Sequence, residues 1–165
     1  MTIMKAKFGT LGITTILLIS IFIPGTLACT TLTPGYWKNH LEDWPSSGIV
    51  TIESYNYDLT KEDEVDYLMG LLWENPGHWK KEYGKSEQAW LILTHKVIAA
   101  QLSMLAFPHP AWSWNWEFGG YSGGMVQMVN DANDLLDDDP LDRGAMIDLA
   151  ETIDYWLNYW NEHGL

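Results

Sequence analysis

Between Ser86 and Phe107 the chain reads SEQAWLILTHKVIAAQLSMLAF, and no other stretch constrains the fold as strongly. Its apolar residues fall into two rows. Trp90, Leu93, Val97, Ala100 and Met104 make one; Leu91, Ile98, Leu102 and Leu105 make the other. Both keep the i, i+3, i+4, i+7 spacing of a helix, so apolar surface covers most of its circumference. Such a helix in a water-soluble domain is the central one, packed on from several sides. Ser86 is placed to cap its start, and Pro108 stops it. The fold class that follows is all-α: a compact bundle of about four main helices, with a short N-terminal helix and a Trp-rich loop.

The 165 residues suffice for one domain with a real core. With 47% hydrophobic and 19% charged residues, the composition is that of a globular chain. The net charge of −13, with no compensating basic patch, argues against nucleic acid as a partner. Ten tryptophans, each able to bury roughly 150–250 Å², let a modest set of short helices build a firm core.

Residues 1–28 read as an export signal. Lys5 and Lys7 form a basic n-region, and Leu11 to Ile23 is an uncharged apolar run. Pro24-Gly25 breaks that run, and Thr26-Leu27-Ala28 puts small residues at −3 and −1 of a cleavage site. The run is shorter than the ~20 residues a spanning helix needs. The single cysteine, Cys29, comes next. Thr26-Leu27-Ala28-Cys29 resembles the lipobox of exported lipoproteins, which implies lipid on Cys29 and attachment to the membrane through it. Thr26 and Leu27 depart from the usual Leu at −3 and small residue at −2. The other reading is cleavage after Ala28 that leaves Cys29 a free thiol. Residues 29–165 then form a single helical domain, at the outer face of the cell membrane or outside the cell.

The mature part opens TLTPGYWKNHLEDWP. Pro34-Gly35 is a turn, and Tyr36 to Trp44 has the spacing of a short helix that Pro45 ends, with Trp37, Leu41 and Trp44 on the face that docks. Tyr36 and His40 form an i, i+4 pair. The run Thr33-Pro34-Gly35-Tyr36-Trp37-Lys38-Asn39-His40 resembles the opening of a family of exported, uncharacterised bacterial and archaeal domains. Leu93-Thr94-His95-Lys96-Val97-Ile98-Ala99-Ala100-Gln101-Leu102-Ser103 is similar to a later segment of that family. Ile147 to Tyr155 is similar to its final helices. The resemblance covers most of the mature chain in the same order and implies export and a small helical domain, with no activity attached. Gly35, Tyr36, Trp37, Lys38, His40 and His95 are its motif residues. His40 and His95 carry two readings: convergence on a metal or ligand, or separate bonds to a backbone carbonyl or Tyr36 that fix the N-terminal helix to the central one. No HxxxH, HExxH or Cys/His cluster accompanies them, which favours the structural reading; no cofactor is expected.

Ile49 to Ile52 has the look of a short extended piece. Thr60 and Asp63 resemble a capping box before a helix carrying Val65, Leu68, Met69 and Leu72. Pro76-Gly77-His78-Trp79-Lys80 echoes the opening motif for five residues, too few for a repeat. Lys80, Lys81 and Lys85 form the one basic spot, expected on a solvated loop. In the Pro108 to Gly124 loop, Trp112, Trp114 and Trp116 alternate with small or polar residues, and an extended strand puts them on one face. That surface is a candidate aromatic contact for sugar rings or a partner protein; the competing reading folds the indoles back to close the end of the bundle. A helix over about Gly124 to Asp137 and another over about Pro140 to His163, capped by Gly164, complete the bundle. Asp134, Asp137, Asp138 and Asp139 offer hard oxygen ligands for Ca²⁺, although Asp139, Pro140 and Asp142 also suit the start of the last helix.

These features favour a cell-surface or secreted, non-enzymatic binding or structural module, lipid-anchored through Cys29, with a glycan or surface protein as partner. The alternative is an envelope hydrolase or metal-dependent enzyme using His40 and His95. The sequence contains no nucleophile elbow and no spaced metal-ligand set to support it.

Overall fold

The computed structural model describes residues 33–118 and 121–163; the expected export signal, Cys29 and the Gly164 cap lie outside them. Helix α4 (Lys85–Ala106) is the axis of the fold. Leu91, Leu93, Val97, Ile98 and Leu102 on it are completely buried. Around it pack α1 (Pro34–Trp37), α2 (Glu62–Trp73), α3 (Pro76–Glu82), α5 (Met125–Leu136), α6 (Arg143–His163) and strand β1 (Ile49–Ile52). Helix α4 is 22 residues long and its most apolar 18-residue window has a mean hydropathy of 1.4, enough by length and composition to cross a membrane, yet 61% of that window is buried inside the fold. Ser86 does not cap it. Gly84 does, at φ +130°, a conformation that a serine side chain rarely adopts.

The protein is mostly helical, with α2, α4, α5 and α6 as its long helices and α1 as the short N-terminal one. It is not purely all-α. Two antiparallel hairpins are present, β1 with β2 (Tyr55–Asp58) and β3 (Trp116–Phe118) with β4 (Tyr121–Gly123). The first forms because Val50 and Ile52 alternate with outward residues and bury against the core, the period of a one-faced strand. Its turn places Glu53 at φ +56°, as a two-residue hairpin turn demands. That conformation is held from both sides: Glu53 N donates to Asn133 Oδ1 (3.0 Å), and Trp90 Nε1 donates to Glu53 Oε1 (2.8 Å).

The free edge of β1 meets a side chain instead of a third strand. Thr51 N donates to Gln101 Oε1 (2.8 Å), and Gln101 Nε2 donates to Thr51 O (2.7 Å). Gln101 lies on α4 and is buried, so its amide acts as a one-residue strand and fixes the hairpin on the helix.

Local starts differ from expectation where a nearby carboxylate offers a better partner. Thr60 and Asp63 form no capping box: Asp58 Oδ1 accepts from Thr60 N and Oγ1, and Glu64 accepts from Asp58 N. Helix α6 begins at Arg143 rather than Pro140, with Asp142 Oδ1 accepting from Ala145 N (3.0 Å). Pro76-Gly77 opens the extra helix α3 behind an Asn75 cap, as Pro34-Gly35 opens α1 behind Thr33. Lys80 and Lys81 therefore sit in the last turn of α3 and Lys85 at the start of α4, not in a loop.

Replacing Gln101 by Leu keeps the volume of the side chain but leaves both Thr51 backbone groups without their partner. We expect a loss of about 2–3 kcal/mol in chemical denaturation, with the helical circular dichroism spectrum retained.

Candidate functional site

The opening motif does not make one helix. Helix α1 stops at Trp37, the chain turns at His40 (φ −133°, ψ 62°), and a 3-10 turn follows over Leu41–Asp43. Two indoles pin the ends of this segment. Trp37 is fully buried and donates from Nε1 to Ser103 Oγ on α4 (3.1 Å). Trp44 is buried and donates from Nε1 back to Trp37 O (2.8 Å). The break lets both tryptophans reach inward while Leu41, expected on the same face, stays 49% exposed. Gly35 contributes its carbonyl, which accepts from Asn39 Nδ2 (2.7 Å).

His40 and His95 follow different paths. The His95 ring, half-buried, donates from Nε2 to Leu71 O (2.7 Å) in the last turn of α2, satisfying a helix-end carbonyl and tying α2 to α4. Burial pushes its pKa below the usual imidazole value; the Leu71 bond opposes this, and the nearby Lys38 and Lys96 add to the lowering. Lys38 also lies over the Trp73 ring, 5.1 Å from its centroid. His40 stacks on Tyr36, with centroids 4.3 Å apart and planes at 28°. Its Nδ1 lies 3.3 Å from Glu42 Oε1, and Tyr36 Oη donates to Asp43 Oδ2. The ligating atoms that gather with His40 thus belong to Glu42 and Asp43, not to His95. Sequence reasoning missed this group because a continuous helix was expected through His40. The contiguous His-Leu-Glu-Asp run is the signal that could have shown it.

Trp112 and Trp114 do not share a face. Trp112 lies in the 3-10 turn Pro110–Ser113, is buried, and donates from Nε1 to Phe107 O (2.8 Å). It meets the Trp160 ring edge-on at 6.0 Å, so it helps to close one end of the bundle. Trp114 is 52% exposed and contacts His109, and Trp116 begins β3. This turn packs directly on the start of α5: a Cβ on Gly124, the residue that caps that helix, would lie 2.7 Å from both Trp112 O and Trp114 O.

An aromatic surface does form, elsewhere. At the junction of α2, α3 and α4 the Trp79 and Trp90 rings stack with centroids 5.7 Å apart and planes at 5°. Trp79 Nε1 donates to Glu74 Oε2 (3.2 Å), and Tyr83 packs edge-on against Trp79 at 5.2 Å. Tyr83 is 56% exposed and Trp73, at the end of α2, 59%.

The acidic residues near the α5–α6 turn separate into two groups. Asp134 and Asp138 line an open cleft of about 480 Å³ with Asp131, Asp148, Tyr121 and Thr152, floored by Leu135 and Leu149. Asp137 and Asp139 are exposed and do not line it. Tyr121 Oη donates to Asp131, and its pKa is raised by burial and by that carboxylate.

Comparison with protein-family models, curated proteins and solved structures gave no match.

The lowered His95 pKa makes stability depend on pH. The unfolded chain, with His95 near 6.5, binds a proton that the folded protein resists, so stability is full above that value and falls as pH drops below it. The melting temperature should decline from about pH 6.5 downward. His95→Gln, which still offers a donor to Leu71 O, should flatten this part of the curve.

Proposed function

We propose that the protein is an exported, non-enzymatic binding module, anchored at the cell surface by lipid on Cys29, with the Trp73–Trp79–Tyr83 surface as its contact for a glycan. The observation that carries the contact is the company these rings keep. Trp73 and Tyr83 are exposed, Trp79 is half-buried between Trp90 and Tyr83, and the Glu74 carboxylate accepts from Trp79, a combination that suits a sugar ring with apolar C–H faces and equatorial hydroxyls. His95 is committed to Leu71 O and is not gathered with His40, which weighs against a joint catalytic site built on the two histidines. The anchor rests on the residues around Cys29, and two acyl chains there would hold the protein stably where one would not.

Titration with cell-surface polysaccharide fragments should quench or shift the tryptophan fluorescence. Trp73→Ala and Tyr83→Ala, both at exposed positions, should each weaken binding about tenfold without lowering the melting temperature. Binding unchanged in both variants would remove this surface from the proposal. Intact mass of the mature protein from its own envelope should show a diacylglycerol adduct on Cys29; a bare chain starting at Cys29 would remove the anchor.

A further inference from the structure

The opening motif orders three metal-ligating side chains that the glycan contact does not use. His40, Glu42 and Asp43 each present a donor atom, and all of these lie within 4.8 Å of one another. We propose that they bind a divalent transition-metal ion of the zinc class.

The group carries an imidazole beside its two carboxylates, and its spacing is compatible with coordination. A tetrahedral site with bonds of about 2.0–2.1 Å has ligand–ligand edges of about 3.3–3.4 Å. His40 Nδ1 and Glu42 Oε1 are already 3.3 Å apart, one edge of such a tetrahedron. An Asp43 carboxylate oxygen lies within 4.8 Å of both, and Tyr36 Oη donates to Oδ2 of that carboxylate.

Tyr36 is the positioning residue. Its ring stacks on the His40 imidazole and its hydroxyl holds the Asp43 carboxylate, so one side chain orients two ligands from outside the coordination sphere. The backbone that carries them is fixed at both ends by the buried Trp37 and Trp44. The donor set selects the ion. An imidazole nitrogen with two carboxylates suits Zn²⁺ and its neighbours in the first transition row, whereas Ca²⁺ takes oxygen ligands in larger number. The metal takes the Nδ1 lone pair of the neutral imidazole, whose proton then sits on Nε2. Three protein ligands leave a fourth position for water or for a donor from a bound partner.

The test is calorimetric titration of the full mature chain with ZnCl₂ alone, read beside the melting temperature. Saturable uptake of about one equivalent, with a raised melting temperature, is expected. His40→Ala and Glu42→Gln should each weaken it about tenfold or more, and Tyr36→Phe should weaken it by less. Glu42 is exposed and Glu42→Gln keeps its size, so this variant is expected to fold and its result stands if His40→Ala proves unstable. His95→Gln should leave zinc affinity unchanged. No saturable uptake, or uptake undiminished in a folded Glu42→Gln or His40→Ala protein, would overturn the site. Neither result bears on Trp73 or Tyr83, so the site and the glycan contact stand or fall apart.

Discussion

A helix without a polar face has to be covered on every side, and everything else in this protein follows from covering α4. Apolar contact alone does not decide which segment covers which side, because hydrophobic burial has no direction. The polar residues set into α4 do decide it. Ser103 receives the Trp37 indole, Gln101 receives the Thr51 peptide, His95 reaches the Leu71 carbonyl, and Lys96 pairs with Asp154 of α6. Misplacing the partners of the buried Ser103 and Gln101 would leave a buried donor or acceptor unmade, which costs more than a good bond contributes. The order of elements around α4 is therefore written in four side chains of one helix.

The long helices were legible because their signal is periodic and local. Rows such as Leu91–Ile98–Leu102 or Met125–Met128–Val129–Ala132 turn to one side only if the chain is helical, and these residues are buried as the spacing requires. The short pieces were less so. Ile49 to Ile52 could be read as extended, but its partner Tyr55–Asp58 has a half-exposed pattern with no clear alternation. The break at His40 was hidden because Trp37, Leu41 and Trp44 mimic helical spacing, and only the pull of two buried indoles shows that the chain must kink. Nor could alternation in the Trp-rich loop reveal that Gly124, at the cap of α5, comes up against the carbonyls of Trp112 and Trp114. Non-local constraints of this kind leave no mark in the segment they shape.

The candidate site divided in the same way. The motif residues were visible as a group, and the two readings of His40 and His95 were both on the table. What the sequence could not supply was the direction of each ring. Trp79 and Trp90 lie eleven positions apart on different helices, and only the tight α3–α4 turn brings their planes together. Glu74 and Glu53 then complete that surface from α2's end and from a hairpin turn.

The composition of α4 has a second consequence, for the route the chain takes rather than for its final packing. The export proposed here would carry this segment through a translocation pore unfolded, before any covering element has closed around it. A helix containing an 18-residue window of mean hydropathy 1.4 is then a candidate to slip sideways into the lipid and stop there. Lys96 sits at its midpoint, where a lysine costs about 2.5–3.5 kcal/mol to insert, with His95 and Gln101 close by. The side chains that place neighbours around the finished helix would thus also keep the nascent one moving.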